Sequence, residues 1–373
     1  MPRHLEDSCA EKQRRILQVT WSYFPYMGGV PTHAYELATR LARRGFDVTV
    51  LSTDPMGTLA REEMAERVRL IRVPAFPKDR DYYFAPDIFK VIARERWDLI
   101  HLQGAHNFVA PTAMLAALRT QTPYVVTFHS ARHASAVRNA LRPIQWRVLS
   151  PLLRRAAHLI AISEQEATYF QKLLQVQMDR FSVIPNGFDL PIPDDAPPKQ
   201  DSGLIVTVGR LDPLKGHQRL IEAMPKVLEQ RPDARLLIIG SGDYEANLRA
   251  RSQALGVAER VEIRAIPPIA RAEMAKVLKQ AGIVVFMSYS ENSPIAAREA
   301  IAMGCSVLTT YVSGLSVLAD KGMAQPIPVE STPQEIADAI VRQLRHPFVP
   351  QDIDLIKWDD CVTAVTEIYD RIW

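Results

Sequence analysis

The sequence predicts an α/β protein of two similar units, each a parallel sheet covered by helices on both faces. Three observations carry this. Short Val/Ile/Leu runs alternate with helix-periodic stretches along the chain, the pattern of parallel sheets buried on both faces. A break at Leu190–Ser202 (LPIPDDAPPKQDS) divides that alternation; its prolines and paired aspartates exclude a helix or a central strand and mark a surface linker. Finally, 373 residues is enough chain for about two or three domains at roughly 150 residues each.

The elements follow in order. Arg15–Thr20 (RILQVT) reads as the first strand. Pro31–Arg44 reads as a helix with Ala34, Leu37, Ala38 and Leu41 on one face, stopped by Gly45, at the spacing a half-buried helix needs. Asp47–Ser52 is the next strand, followed by Val68–Val73, Leu99–Leu102, Tyr124–Phe128, Leu159–Ile162 and Phe181–Ile184. After the linker the alternation restarts with strands at Leu204–Val208, Arg235–Ile239, Val261–Arg264, Ile283–Met287 and Ser306–Thr309. Helices are expected around Gln218–Gln230, Tyr244–Leu255, Ala272–Gln280 and Pro294–Met303. Pro225 lies inside the first of these, so a kink or an early end is expected there. Ligands of open parallel sheets bind beyond the carboxyl ends of the strands. Two such sheets facing each other would enclose a cleft.

Composition narrows the function class. Hydrophobic residues are 47% and charged residues 23%, which suits a folded core and excludes a long disordered chain. A net charge of +3 does not point to nucleic acid as the partner. The best apolar run, Ile283–Met287, is far short of the ~20 residues of a spanning helix. The opening MPRHLEDSCAEKQRR is charged throughout, so no secretory signal is expected. Cys9, Cys305 and Cys361 are few and far apart, which argues against a disulfide framework and for a reducing, cytoplasmic setting.

Three segments carry chemistry. Tyr26-Met27-Gly28-Gly29-Val30-Pro31 joins a strand to a helix. Its glycines let the backbone approach a ligand, and the helix end attracts anions; the plain alternative is a glycine turn. Gly209-Arg210-Leu211-Asp212-Pro213-Leu214-Lys215-Gly216 places two cations after a strand. Arg can fork onto two oxygens while Lys acts as a point charge, which suits a diphosphate; a solvated basic loop is the alternative. Glu291 to Glu299 (ENSPIAARE) sets two glutamates eight apart, with Ser293 as the expected N-cap and Pro294 as the first helical residue. The carboxylates could accept hydrogen bonds from sugar or ribose hydroxyls, or simply form a polar helix face.

Together with TFHS, LIAISEQE, VIPNGFD, VGRLDPLKGHQRLIEAMPKVLEQRPDARLLIIGSGD and a final WDDCVTAVTEIYDRI helix, these segments resemble the retaining GT-B glycosyltransferases of family 4. The resemblance implies a GT-B fold of two Rossmann-like domains with parallel sheets facing an interdomain cleft. It would make 1–190 the acceptor-binding domain, 191–202 the linker, 203–356 the donor domain and 357–373 a helix crossing back to the first domain. Gly28 and Gly29 would line the donor phosphate and sugar. His129 would face the reacting sugar and acceptor. Gly209, Arg210 and Lys215 would hold the leaving diphosphate. Glu291 would touch the donor sugar and Glu299 the ribose. Ser293, Pro294 and Ile295 would border the donor, with backbone N–H groups offered around Ile295. Catalysis would rest on His129, Arg210, Lys215 and Glu291, with retention, no metal and no cofactor. The partners implied are a nucleotide-sugar and a saccharide or lipid-linked acceptor.

The sequence departs from the family pattern in places. After its first Glu the family usually carries Gly, and often a second Gly two residues on; here stand Asn292, Ser293 and Pro294. Asn tolerates a left-handed turn, so donor identity is affected more than activity. Ala281-Gly282 and Met287-Ser288 also depart, from Ala-Asp and Pro-Ser. Asp79-Arg80-Asp81 reads as charged surface rather than a metal motif, and His101, His106 and His129 lack zinc-site spacing. Arg138–Arg155 mixes arginines with apolar residues and could lie on an anionic membrane; Pro143 and Pro151 should interrupt it, which favours an ordinary packed segment. Rival readings are a dinucleotide oxidoreductase, a nucleotide-sugar epimerase and a non-catalytic sugar-binding protein. The first lacks a full fingerprint, since Gly240-Ser241-Gly242 has Glu245 at its third position.

Overall fold

A computed structural model describes residues 13–78, 83–129, 136–191 and 203–373, with backbone only for 136–139. Cys9, Asp79-Arg80-Asp81 and nearly all of the linker lie outside these residues.

Among the described residues, eight strands form the first sheet: β1 (Arg15–Thr20), β2 (Asp47–Thr53), β3 (Glu62–Ala65), β4 (Val68–Val73), β5 (Leu99–Gln103), β6 (Tyr124–Thr127), β7 (His158–Ala161) and β8 (Phe181–Val183). Their order is β3-β4-β2-β1-β5-β6-β7-β8. Each pair is parallel except β3–β4. The helices are α1 (Gly29–Arg43), α2 (Asp87–Arg94), α3 (Val109–Thr120), α4 (Ala136–Leu153) and α5 (Glu164–Leu174).

The second sheet has β9 (Leu204–Val208), β10 (Arg235–Ile239), β11 (Val261–Arg264), β12 (Ile283–Phe286), β13 (Val307–Thr310) and β14 (Gln325–Ile327), in the order β11-β10-β9-β12-β13-β14. All its pairs are parallel. Its helices are α6 (His217–Gln230), α7 (Glu245–Ala254), α8 (Arg271–Gln280), α9 (Ile295–Ala302), α10 (Ser313–Asp320) and α11 (Pro333–Arg345).

Side-chain alternation along each strand gives each sheet two cores. Leu17 and Val19 of β1 join Ile100, Leu102 and Val126 on one face, under Met114 of α3 and Trp146 of α4. Ile16 points to the other face with Val48, Val50, Leu99 and Val125. That face is covered by Ala34, Leu37 and Leu41 of α1 and by Trp358, Val362 and Val365 of α12 (Trp358–Ile372). The last helix therefore packs on the first sheet. In the second sheet, Ile205, Ile238, Ile283 and Val285 meet α6 and α11. Val206, Ile239, Val284 and Phe286 meet α8, α9 and α10.

Three local expectations are corrected. Helix α6 does not end at Pro225 but runs on to Gln230. Likewise α4 contains both Pro143 and Pro151 without a break. Each proline removes one backbone hydrogen bond, but burial of one face holds the helix: Leu220, Met224 and Val227 in α6, Trp146, Leu149 and Leu153 in α4. The third concerns α9, which starts one residue later than expected. Its N-cap is Pro294, with no side-chain cap hydrogen bond. Ser293 Oγ instead accepts from the Asn186 backbone N–H at 3.4 Å.

Candidate active site

In each sheet the strand order reverses at one point, between β1 and β5 and between β9 and β12. Loops leaving the carboxyl ends on either side of a reversal diverge and open a crevice. The loops after β1, β9 and β12 carry Gly28, the 209–216 segment and the 287–294 segment. They converge on one cleft with the loops after β6 and β11, and Gly28, Gly29, His129, Gly209, Arg210, Lys215, Glu291, Ser293, Pro294, Ile295 and Glu299 all line it.

Gly28 has φ +149°, a conformation that side chains rarely adopt. A Cβ there would stand 3.9 Å from Arg210 Cδ in the other domain, so this glycine faces the cation loop across the cleft. Helix α1 starts at Gly29 without a side-chain cap, leaving early N–H groups and the positive helix end available to an anion. The start of α9 is likewise without a side-chain cap.

The cation loop is held from below. Asp212 caps the short turn Pro213–Lys215 by accepting from Leu214 N at 2.9 Å. Gly216 has φ +70°, and a Cβ on it would sit 2.0 Å from the Met287 carbonyl oxygen, so only glycine lets this loop press against the end of β12. Arg210 pairs with Asp212 at 2.9 Å, with about half its side chain exposed. Lys215 pairs with Glu291. The two cations of this loop therefore have different carboxylate partners, and Lys215 already touches the carboxylate expected at the donor sugar.

His129 follows β6 and is 9% exposed. Its Nε2 is 2.9 Å from Gln103 Oε1, so Nε2–H donates. Burial, with His33, His106 and His101 nearby, pushes His129 well below the ordinary histidine value. It is neutral. The His33 ring, from the first turns of α1, meets it edge-on at 4.7 Å. His33 Nδ1 bonds Asn186 Oδ1 at 2.8 Å, its Nε2 is buried without a partner, and burial lowers it to about 4. His101 lies away from the cleft, with Tyr369 OH on one nitrogen and Thr127 Oγ1 on the other.

Glu299 is 4% exposed. Its partner is Arg271, at the start of α8, which also donates to the Asp189 carbonyl at 3.0 Å and approaches Glu36 of α1 at 4.0 Å. Burial pushes the Glu299 carboxyl up, while Arg271 opposes that shift. The sequence reading missed Arg271, His33 and Gln103. Arg271 opens a polar helix far along the chain from Glu299, and nothing local pairs them. His33 could have been noticed, four residues after Gly29 on the buried face of α1.

Comparison with known proteins bears on what this cleft is. Residues 27–191 match the family description Glycosyltransferase Family 4, and residues 191–354 match Glycosyl transferases group 1. The chain is 26% identical to a D-inositol 3-phosphate glycosyltransferase of Nocardiopsis dassonvillei, over 92% of this chain and 89% of that one. It is 28% identical to a glycogen synthase of Mycobacterium tuberculosis, over 95% and 94%. Among solved structures, sucrose-phosphate synthase from Thermosynechococcus elongatus superposes with TM-score 0.73 at 21% identity, over 96% of this chain and 99% of that one. HepE from Anabaena, in complex with UDP and glucose, gives 0.74 at 18% identity, over 96% and 100%. With two facing parallel α/β domains and the two family matches running consecutively from residue 27 to residue 354, the chain is a GT-B glycosyltransferase, family 4 in its first domain and group 1 in its second.

Proposed function

We propose that this glycosyltransferase moves a sugar from a nucleoside-diphosphate sugar to a hydroxyl of a saccharide or lipid-linked saccharide, with retention of configuration and without a metal or cofactor. The observation that carries this is the convergence in one cleft of Arg210, Lys215 and two helix starts without side-chain caps, together with Glu291 and Glu299. A departing diphosphate develops negative charge, and fixed cations with oriented N–H groups stabilise it without reorganising. The donor phosphate draws Lys215, which frees Glu291 for hydroxyls of the sugar. Glu299 accepts from the ribose. The bond from the anomeric carbon to the phosphate oxygen breaks, and the acceptor oxygen bonds the same carbon from the same face. The acceptor proton passes to the leaving phosphate oxygen. Neutral His129 offers hydrogen bonding to the sugar and acceptor rather than charge. A relative such as the phosphatidyl-myo-inositol mannosyltransferase of Mycobacterium leprae, 27% identical over 94% of each chain, supports a lipid-linked acceptor.

A membrane contact belongs to the same reading. No helix of the described residues is long and apolar enough to cross a membrane. Helix α4, however, exposes Leu141, Ile144 and Val148, the last 71% exposed, beside exposed Arg147. Neighbouring α3 exposes Leu115 and Arg119. Between Asp98 and Glu164 the sequence has seven arginines and no acidic residue. Apolar side chains interleaved with arginine suit an anionic lipid surface. Arg142 of α4 lines the cleft, so a lipid-linked acceptor held at that surface would enter beside the site.

A thermal-shift panel of UDP, GDP and ADP and their sugars, in EDTA, tests the reading. The matching ligand at 100 times its dissociation constant stabilises by about 2.7 kcal/mol. No shift with any of them, or transfer that appears only when magnesium or manganese is restored, overturns it.

A further inference from the structure

The side chain of Asn292 turns toward the other domain. Its Oδ1 accepts from Ser163 Oγ at 2.7 Å, and its Nδ2 donates to Glu166 Oε1 at 3.2 Å. Both partners belong to the start of α5. Ser163 is the N-cap and accepts from Glu166 N at 3.3 Å, while Glu166 Oε2 accepts from Ile162 N at 2.9 Å. In this S-x-x-E cap the serine uses one lone pair and the glutamate one oxygen on the local backbone. The hydroxyl proton and the second carboxylate oxygen point at the cleft. A primary amide presents an acceptor and a donor side by side and satisfies both. Behind it the loop is fixed as well. Gly314 N donates to the Glu291 carbonyl at 2.7 Å, and a Cβ on Gly314 would lie 2.0 Å from the Asn292 carbonyl oxygen. The loop is thus gripped by α10 on one side and by α5 on the other, with Glu291 and its Lys215 pair adjoining the grip.

We infer that Asn292 clasps the cleft shut: it is a positioning residue that ties the donor loop to α5 and so sets Glu291 for transfer. Resting on the proposed function, this makes the transfer step depend on the clasp, while nucleotide binding, which draws chiefly on Arg210, Lys215 and Glu299 of one domain, depends on it far less.

The test exchanges the hydrogen-bond roles. Asn292→Asp sets a carboxylate against Glu166 and breaks the clasp. Glu166→Gln alone weakens it: the introduced amide spends its carbonyl on Ile162 N and turns an N–H toward Asn292, whose amide must flip and so gives up both its bond to a carboxylate and its bond from the Ser163 hydroxyl for neutral contacts. The Asn292→Asp/Glu166→Gln double variant restores both contacts between residue 292 and α5: one oxygen of the new carboxylate accepts from Ser163, and the other accepts from the Nε2 of the new amide. Each single variant is expected to lower kcat by about tenfold or more, the scale of losing a hydrogen bond to a charged group. The double recovers most of that, and calorimetric affinity for the matching nucleoside diphosphate stays the same in all three. Small-angle scattering should give a larger radius of gyration in the singles and the wild-type value in the double. Wild-type kcat in Asn292→Asp, or a double no better than the singles, overturns the clasp. If the wild type transfers no sugar at all, the proposed function fails, and scattering alone decides the clasp.

Discussion

Replacing His33 with Asn isolates what it costs to keep an imidazole uncharged beside the reacting site. Asn supplies the same donor to Asn186 that Nδ1 supplies, but it does not titrate. In the folded protein burial holds His33 at about 4; in the unfolded chain it returns to about 6.5. The unfolded state therefore binds more protons between these values. The His33 contribution to stability is full above about pH 6.5 and is lost as pH falls toward 4. Between pH 7.5 and 5.5 the loss is about 1.4 kcal/mol, set almost wholly by the unfolded value. His101, His129 and His217 are buried and lowered too. Glu36 and Glu299, raised by burial, work the other way, gaining stability as pH falls. His217, Glu36 and Glu299 are shared by wild type and variant and cancel in the difference; His33 contributes to the lowering of His101 and His129, but burial is the larger cause at both and is common to the two proteins. Urea unfolding of both proteins at pH 7.5 and 5.5, at matched ionic strength, measures it. Wild type should lose about 1.4 kcal/mol relative to His33→Asn on going to pH 5.5. A difference that does not change with pH refutes the reasoning, since it would mean that His33 is not held neutral.

Arg210→Ala or Lys215→Ala should cut turnover roughly 10²–10³-fold, the scale for one charge-stabilising donor; wild-type turnover in the double variant overturns their role. Glu299→Ala should weaken nucleoside diphosphate binding by about 1.5–3 kcal/mol and lower Tm by leaving half-buried Arg271 with only the more distant Glu36 as its carboxylate partner. Adding Arg271→Met should recover Tm but not affinity. Glu291→Gln should lower turnover and spare nucleotide affinity; unchanged turnover there, with unchanged affinity in Glu299→Ala, removes the donor clamp. Replacing Leu141, Ile144 and Val148 together with Asp should abolish co-sedimentation with phosphatidylglycerol vesicles while leaving the nucleotide thermal shift intact, and undiminished sedimentation sinks the membrane face.

The central strands were legible because each is a continuous apolar run that a doubly covered sheet must have. Strand β3 was not: Glu62–Ala65 (EEMA) is exposed along its length, an edge strand defined by its backbone pairing with β4 rather than by any pattern of its own. The expected break in α4 and the expected early end of α6 failed for a related reason, since burial of Trp146 or Met224 is decided by tertiary packing. At the site, the sequence marked residues whose type and spacing carry chemistry, and the fold brings them to one cleft. It could not mark Arg271, whose meaning depends on Glu299 lying 28 residues on. Nor could it show that Asn292, read as a change in the pocket floor, turns its amide to α5.

Helix α12 has a consequence for how the protein is made. The sheet of the first domain spans residues 15–183, yet one of its faces is closed by Trp358, Val362 and Val365. Arg40 meets Asp359 at 3.1 Å, Arg44 donates to the Asp359 carbonyl, and His101 bonds Tyr369. During synthesis the first domain leaves the ribosome with that apolar face covered by α1 but bare where α12 will pack. That part stays bare while the whole second domain is translated, roughly ten to forty seconds at usual elongation rates. Chaperone demand should therefore concentrate on the first domain, and a nascent chain arrested before residue 358 should be captured far more readily than one released with α12 in place.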